Sequence, residues 1–275
     1  MKCKILLSIK HSAGRRIVGA ALFTYCFSLF TANAQDTAYM LGIGPTNILD
    51  TYISQEHFSG TGITYLYTRE KIQEDRRWNS LIEHEISLAS TEDRSGNVTM
   101  LQGDYNLYWG RYYRLPILDG RLVLQGGAAA NLCLGYLYDT TTSNNPAQAR
   151  ASLNVMPSAI ITYAFPLFRK PGFIRYEANL PFAGVMFSPN YGQSYYEIFS
   201  QGNYDHNIVP TTFLCTPSLR QQLTLDWNAG RTWTLRIGYL GNYQQAKVNQ
   251  LKSHVYAHRF MIGIVKRFQT IHYRP

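Results

Sequence analysis

The chain has few cysteines, and it lacks the spacings that bind metals. Only two of its four cysteines, Cys133 and Cys215, follow residue 34. There is no CxxC pair and no His/Cys cluster at metal-ligand spacing, so the sequence predicts neither a zinc site nor a cofactor. Two separate small side chains are favoured over a Cys133–Cys215 disulfide. The two residues fall on non-neighbouring predicted strands with opposite facing, but the disulfide stays open as an alternative.

Long apolar runs are also missing after residue 34, where none approaches the roughly 20 residues that a membrane-spanning helix needs. Residues 1–34 themselves resemble a cleaved signal peptide. Five basic residues precede an apolar run over 17–30 that is too short to span a bilayer comfortably, and Ala32-Asn33-Ala34 offers a small-x-small cleavage pattern. We predict a signal peptide over 1–34 and a single exported domain over 35–275. An uncleaved anchoring helix is the alternative.

The basic charge of the chain lies partly in this leader. Five of the 26 Lys and Arg residues precede residue 35, whereas all 17 acidic residues follow it. The remaining chain therefore carries 21 minus 17, or +4. Because much of the excess charge belongs to the export segment, the sequence gives little support for a nucleic-acid partner.

What the rest of the chain does have is a two-residue hydrophobic alternation in ten segments. In the fourth, for example, Leu107 and Trp109 alternate with Asp104 and Asn106. Most segments reach the 9–11 residues of a tilted membrane strand, and short links alternate with longer polar ones. We predict an all-β fold, a closed antiparallel transmembrane β-barrel of about ten strands in the outer membrane. The predicted strands are 38–45, 61–70, 78–90, 98–112, 120–138, 151–165, 172–182, 211–228, 232–245 and 254–268.

Aromatic residues support this assignment. The last predicted strand ends on Phe268 near the C-terminus, which resembles the closing strand of outer-membrane barrels. All four tryptophans fall at the short-turn end of their strands, where a membrane interface would lie. A soluble periplasmic β-barrel that binds an apolar ligand is kept as an alternative. The predicted interface girdle consists of Trp78, Trp109, Trp227, Trp233 and Phe268.

Strand parity also predicts which polar residues face the lumen. Because an unpaired buried charge is costly, we expect Arg–carboxylate pairs across strands. We expect these pairs to hold the barrel closed, with a narrow polar path as the alternative. The predicted lumen set is Glu83, Glu85, Asp104, Glu177, Asp226, Arg175, Arg220, Arg236, Arg259 and Arg267.

A long loop over 183–210 is the predicted contact surface. It is rich in tyrosine and in small polar residues, a composition suited to binding sugars, peptides or proteins. A loop that folds down and plugs the lumen is an equal alternative. Asp205 and His206 leave a rim hydrolase open, of the protease or lipid A-modifying type, but no further catalytic residue is recognisable. The contact residues are Tyr191, Tyr195, Tyr196, Phe199, Tyr204, Asp205 and His206.

Three short motifs, Gly42-Ile43-Gly44, Asn47 to Tyr52 and Ser59-Gly60-Thr61-Gly62, are similar to a family of exported Bacteroidales proteins with a domain of unknown function. The resemblance extends through the strand series and implies an outer-membrane barrel without an assigned activity or catalytic residues. The expected partners are outer-membrane lipid and lipopolysaccharide, and the barrel assembly machinery during biogenesis. The specific ligand is not indicated.

Overall fold

A computed structural model describes residues 35–72, 77–142, 145–168, 170–228 and 233–268, except the side chains of Arg267 and Phe268. The predicted signal peptide lies outside these residues. The described chain forms twelve strands and one short helix, α1, at Tyr195–Phe199. The strands are β1 Gln35–Asp50, β2 Ser54–Lys71, β3 Trp78–Glu92, β4 Thr99–Ile117, β5 Leu122–Asp139, β6 Ala147–Leu167, β7 Lys170–Asn179, β8 Ala183–Phe187, β9 Ile208–Thr212, β10 Leu219–Trp227, β11 Trp233–Val248 and β12 Leu251–Phe268.

Ten of these strands close into an antiparallel barrel, as the alternation predicts. Each pairs with its sequence neighbours from β1 to β7, and the circuit continues through β10, β11 and β12. The closing contact joins the two ends of the described chain, because Gln35 of β1 pairs with Phe268 of β12. Closure satisfies the backbone donors and acceptors of both would-be edge strands, which a barrel in lipid requires.

The remaining strands, β8 and β9, are extensions of two barrel strands. On β6, Ser158 pairs with Asn179 and Val155 pairs with Ala183, so three steps on β6 oppose four on the partner. This mismatch is a one-residue bulge, and it includes Pro181, which has no N–H to donate to a ladder. A larger excursion around Pro217 separates β9 from β10 in the same way.

The outside of the barrel carries an apolar belt. Side chains on alternate positions of neighbouring strands point outward and remain exposed, as Leu41, Ile63 and Ile262 illustrate with exposed fractions above one half. We call the end that holds Gln35 and Phe268 the terminal end, and the end that holds α1 the loop end. At the loop end, Tyr136 and Tyr138 continue the belt on β5.

The connections at the loop end differ from the lengths expected from the sequence. The expected loops 46–60 and 246–253 are mostly strand, and only 51–53 and 249–250 remain as turns. Asn249 and Gln250 both have positive φ, the geometry of a tight two-residue hairpin turn. Strands therefore project past the belt at this end, and only the connection 188–207 is long.

The interior of the barrel is filled by side chains, as expected for a small barrel. Apolar groups occupy part of it; toward the loop end, Ile48, Phe58, Met100, Leu137 and Val255 form one buried cluster. Buried polar and charged residues fill the levels between such clusters. Side chains therefore pack the interior at these levels.

Candidate functional site

The centre of the lumen is occupied by the guanidinium of Arg220. Its Nη1 lies 2.9 Å from Glu83 Oε2, and its Nε donates to Glu85 Oε2 at 2.9 Å. Glu177 Oε1 is 3.5 Å from Nη1, and the ring of Tyr108 lies 4.4 Å below the guanidinium carbon. Only 2% of Arg220 is exposed. One cation from β10 therefore joins β3, β4 and β7 across the interior.

A second arginine extends this network toward the terminal end. Arg175 Nη2 donates to Glu177 Oε2 at 2.9 Å, and its Nη1 donates to Glu70 Oε2 at 2.7 Å. Asn79 and Gln125 donate to the other Glu70 oxygen at 3.4 and 3.1 Å. Glu70 was not among the predicted lumen residues. It ends the predicted second strand and shares the inward parity of Leu66 and Thr68, which would have identified it.

A separate ion pair lies at the terminal end of β10 and β11. Asp226 and Arg236 are direct cross-strand partners. Arg236 Nε and Nη2 donate to the two oxygens of Asp226 at 2.6 and 2.7 Å. This bidentate geometry is the strongest arrangement of an arginine with a carboxylate, so it stabilises the pairing of these two strands.

Arg259 is also buried, but backbone oxygens hold it instead of a carboxylate. Its Nη1 donates to the carbonyls of Gly44 and Pro45 at 3.0 and 2.7 Å, and its Nη2 donates to Thr46 Oγ1 at 2.7 Å. Within the described ranges no carboxylate forms an ion pair with it. A Cβ on Gly62 would lie 2.3 Å from Nη2. Gly62, in the third sequence motif, thus leaves room for this guanidinium.

Asp104 and Arg150 lie nearer the loop end. Asp104 is buried and accepts a hydrogen bond from Gln102, while Arg150 Nη2 donates to Gln244 Oε1 at 2.6 Å. Arg150 was missed because the sequence placed it in a loop, whereas β6 begins three residues earlier. Arg267 has an undescribed side chain, so its predicted lumen position lies outside the described residues.

Two cavities flank the central network. The loop-end cavity, about 100 Å³, is lined by Arg150, Gln148 and Gln244 and reaches down to Arg220. The terminal-end cavity, about 320 Å³, reaches up to Arg175. Arg220 lines the loop-end cavity and Arg175 lines the terminal-end cavity. Because Glu177 binds both arginines, the ion-pair network lies between the two cavities.

The long loop at the loop end folds over the barrel mouth through α1. The helix begins with a capping box between Ser194 and Glu197. Tyr195 points inward, where its hydroxyl donates to Gln148 Oε1 at 2.9 Å. Tyr52 donates to the Gln193 carbonyl at 3.0 Å. The other predicted contact aromatics are more than 60% exposed: Tyr191, Tyr196, Phe199 and Tyr204.

Asp205 and His206 form an exposed pair on the same loop. His206 Nδ1 lies 2.5 Å from Asp205 Oδ1, and both side chains are more than 70% exposed. On the wall of the barrel, the rings of His57 and His254 contact each other at a tilt of 39°, with centroids 5.2 Å apart. Across the part of the chain that the structure describes, no group of three or more His, Cys, Asp or Glu residues is placed to hold a metal ion.

Two histidines on outward-facing strand positions each contact a tyrosine hydroxyl, and the two cysteines are free thiols. His84 contacts the Tyr105 hydroxyl at 2.8 Å, and His258 contacts that of Tyr239 at 2.6 Å. Cys133 is a buried free thiol and Cys215 is a half-buried one. The structure therefore contains no Cys133–Cys215 disulfide.

Three of the tryptophans are about half exposed on the outer surface: Trp78, Trp109 and Trp233. Trp227 is half-buried and packs against Phe168, with ring centroids 6.2 Å apart. Trp109 lies just past the middle of β4, because β4 continues to Ile117 instead of ending near residue 112. The Phe268 side chain lies outside the described residues.

Together these features identify the environment of the barrel. A closed antiparallel barrel that exposes an apolar belt, flanked by aromatic residues, has the architecture of outer-membrane proteins. A soluble barrel would instead bury its apolar face. The protein is an outer-membrane β-barrel. No described helix is long and apolar enough to cross a membrane.

Comparisons with known proteins give a family and several similar folds. The chain is similar to the translocator domain of autotransporter NalP from Neisseria meningitidis, with 10% identity, a TM-score of 0.40, and coverage of 94% of this chain and 98% of that one. The β domain of the Bordetella autotransporter BrkA has 13% identity and a TM-score of 0.41, with 86% of this chain and 100% of that one covered. The outer membrane protease OmpT from Escherichia coli has 7% identity and a TM-score of 0.38, with 87% of this chain and 98% of that one covered. No curated protein matches the chain. A family model described as "Protein of unknown function (DUF3316)" matches residues 28–275, and the chain belongs to this family.

Proposed function

We propose that the protein is a non-conducting outer-membrane barrel that binds its ligand at the loop end. The observation that carries this proposal is the Arg220 network, which fills the centre of the lumen with charged groups bound to one another. Their mutual binding, together with the apolar clusters, leaves separate cavities instead of a continuous aqueous path. In such a barrel the accessible chemistry lies at the two ends.

The loop end offers the better binding surface. Tyr195 and the buried Ile198 attach α1 to the barrel, while Tyr196 and Tyr204 are exposed. Phe199 is exposed too, although one part of its ring stacks on Phe187 and Tyr195. Exposed aromatic rings on an anchored loop supply contact area at little entropic cost. Sugars, peptides and protein surfaces are the ligand classes that this composition suits.

The proposal includes the export route of the chain and the orientation of the barrel in the membrane. We propose that residues 1–34 are removed on export, that the barrel assembly machinery inserts residues 35–275, and that the loop end faces outward. The support is the leader composition and the resemblance of the motifs to exported Bacteroidales proteins. Lipopolysaccharide is then the lipid around the loop end.

Conductance in a planar bilayer tests the closed lumen. We expect the refolded parent protein to insert without conductance steps, because the network blocks ion passage. Unboiled protein should also migrate faster than boiled protein in detergent gels, which shows that the barrel has folded. Regular conductance steps from protein that passes this folding control would contradict the closed lumen.

Arrays of glycans and peptides test the loop-end surface. Replacing Tyr191, Tyr196 and Tyr204 together with Ser should abolish a binding signal that the parent gives, because the three rings are exposed and do not support the fold. Tyr113→Ser, at the other end of the barrel, is the matched control. Equal signals from the parent and the triple variant would exclude this surface.

A rim hydrolase is the second candidate, and the contact between Asp205 and His206 favours it. A carboxylate that accepts from an imidazole can orient it as a general base. If this pair is catalytic, Asp205→Ala and His206→Ala should each abolish turnover of a substrate that the parent cleaves. Unchanged turnover in both variants would remove this candidate.

A further inference from the structure

The outward face of the β11–β12 hairpin changes character in steps from the belt to the loop end. The register places outward residues directly opposite one another, so the composition of each level can be read as a pair. An apolar pair gives way to four levels that each carry an aromatic or imidazole ring, and the last level carries two lysines. In ascending order the pairs are Ile237–Ile262, Tyr239–Phe260, Gly241–His258, Tyr243–Tyr256, Gln245–His254 and Lys247–Lys252.

The two lysines at the top of this series form an unusual pair. Lys247 and Lys252 are cross-strand partners, and both are exposed. Like charges directly opposite each other in a sheet are destabilising. Among the described residues, no carboxylate forms an ion pair with either ammonium group. An anion bound between them would turn this repulsion into attraction.

Two imidazoles lie below the lysines, of which His57 is exposed and His254 is only 8% exposed. His254 contacts Asn47 Oδ1 through its Nε2 at 2.8 Å, and its ring stacks on Tyr256 with centroids 4.4 Å apart. His57 packs against His254 and is exposed. We call Lys247, Lys252, His57 and His254 the basic rim patch.

Glu92, one of the acidic residues at this end of the barrel, is too distant to neutralise the patch. Glu92 is exposed at the end of β3 and pairs with Ser59 of β2. Three strand spacings separate β3 from β12, or roughly 14 Å. That exceeds the roughly 8 Å over which salt screens exposed charges. Glu56 is nearer, because it precedes His57 in β2 and is exposed. With two lysines against this one carboxylate, the patch keeps a formal charge of +1.

We propose that the basic rim patch binds the phosphorylated sugar headgroup of an outer-leaflet glycolipid. The phosphate lies between Lys247 and Lys252, the sugar contacts the exposed imidazole of His57, and the acyl chains run down over Phe260 and Ile262. The order of chemistries on the hairpin matches the order within such a lipid. This inference rests on the proposed orientation, with the loop end outward.

The test measures binding of fluorescent bis-phosphorylated lipid A to the detergent-solubilised protein. Each lysine near an anionic lipid contributes a factor of about five in affinity. We expect Lys247→Gln with Lys252→Gln to weaken binding about 25-fold. The control pair, Lys170→Gln with Lys266→Gln, removes equal charge at the terminal end and should leave the affinity unchanged. Lipid A without phosphates should bind the parent about as weakly as the bis-phosphorylated form binds the patch variant.

A stability measurement separates this role from a structural one. In vesicles of phosphatidylcholine alone, Lys252→Gln should leave the thermal midpoint of unfolding unchanged or raise it, because it removes a repulsion. With bis-phosphorylated lipid A in the vesicles, the same variant should unfold at a lower temperature than the parent. Equal lipid A affinity in the parent and patch variants would overturn the proposal, as would an equal loss in the control. Neither result depends on whether the lumen conducts.

Discussion

Removing the Arg220 guanidinium is the most direct perturbation of the ion-pair network in the lumen. Arg220→Met keeps much of the side-chain volume but removes the cation that binds Glu83, Glu85 and Glu177. With Glu70 and Arg175, the network holds four carboxylates and two guanidinium groups, a formal charge of −4 plus +2, or −2. The substitution makes it −3, among side chains of Arg220, Glu83, Glu85 and Glu177 that are at most 3% exposed.

The expected loss is about 3–5 kcal/mol in the free energy of unfolding, since the substitution leaves buried charges without a partner. Arg236→Met is the matched control, because it also breaks an arginine–carboxylate pair. Asp226 and Arg236 both line the terminal-end cavity, where water can replace the lost hydrogen bonds. We expect a loss of about 2 kcal/mol there.

Urea unfolding of protein refolded in detergent, followed by tryptophan fluorescence and gel mobility, measures both losses. Glu83→Gln added to Arg220→Met should recover part of the stability, with a coupling energy of about 1–3 kcal/mol, because it removes one unpaired charge. If Arg220→Met loses no more stability than Arg236→Met, and Glu83→Gln recovers nothing, the reasoning is refuted.

Two further substitutions test other parts of the barrel. Asp50 lies beyond the belt at the loop end, where burial raises the pKa of its carboxyl from 3.8 to about 6, although the Tyr52 N–H favours the charged form. The folded state therefore holds a proton that the unfolded state releases, so the free energy of unfolding should fall by about 3 kcal/mol as pH rises from about 4 to above 6. Asp50→Asn should flatten this dependence in denaturant titrations; an unchanged pH slope would argue against it. Gly62→Ala should lower the free energy of unfolding by about 1–3 kcal/mol, because its Cβ displaces Arg259. Gly126→Ala is the control, since a Cβ there meets nothing within 4 Å; equal losses would contradict the reasoning.

Local pattern was sufficient for the fold of the membrane-embedded part. Residues facing lipid must be apolar and their neighbours need not be, so alternation such as that of Asp104 and Leu107 predicts both strand and facing. The same logic failed above the belt. Strand residues such as Asn47 and Ser59 contact water on their outer side and therefore lack an apolar signal, so segments that are strand looked like loops.

Partners across the lumen could not be predicted in this way. Parity indicates that Arg220 points inward, but Glu83 and Glu85 are more than 130 residues away in the chain, and barrel tilt decides which strands meet at one level. Arg259 shows the limit most clearly, since the sequence suggested a carboxylate partner and the structure provides the carbonyls of Gly44 and Pro45. Gly62 of β2 leaves room for the Arg259 guanidinium only because the fold brings β2 close to β12.

The sequence by itself determined the class of fold and its solvent, because the two-residue alternation and the placement of aromatic residues are local responses to lipid. Only the tertiary structure decided that the lumen is filled, which charges meet, and that α1 lies across the mouth. Those outcomes depend on the register and tilt of ten strands closing on one another. The pairing of Lys247 with Lys252 is of the same kind, since two residues on separate strands become one site only when the hairpin aligns them.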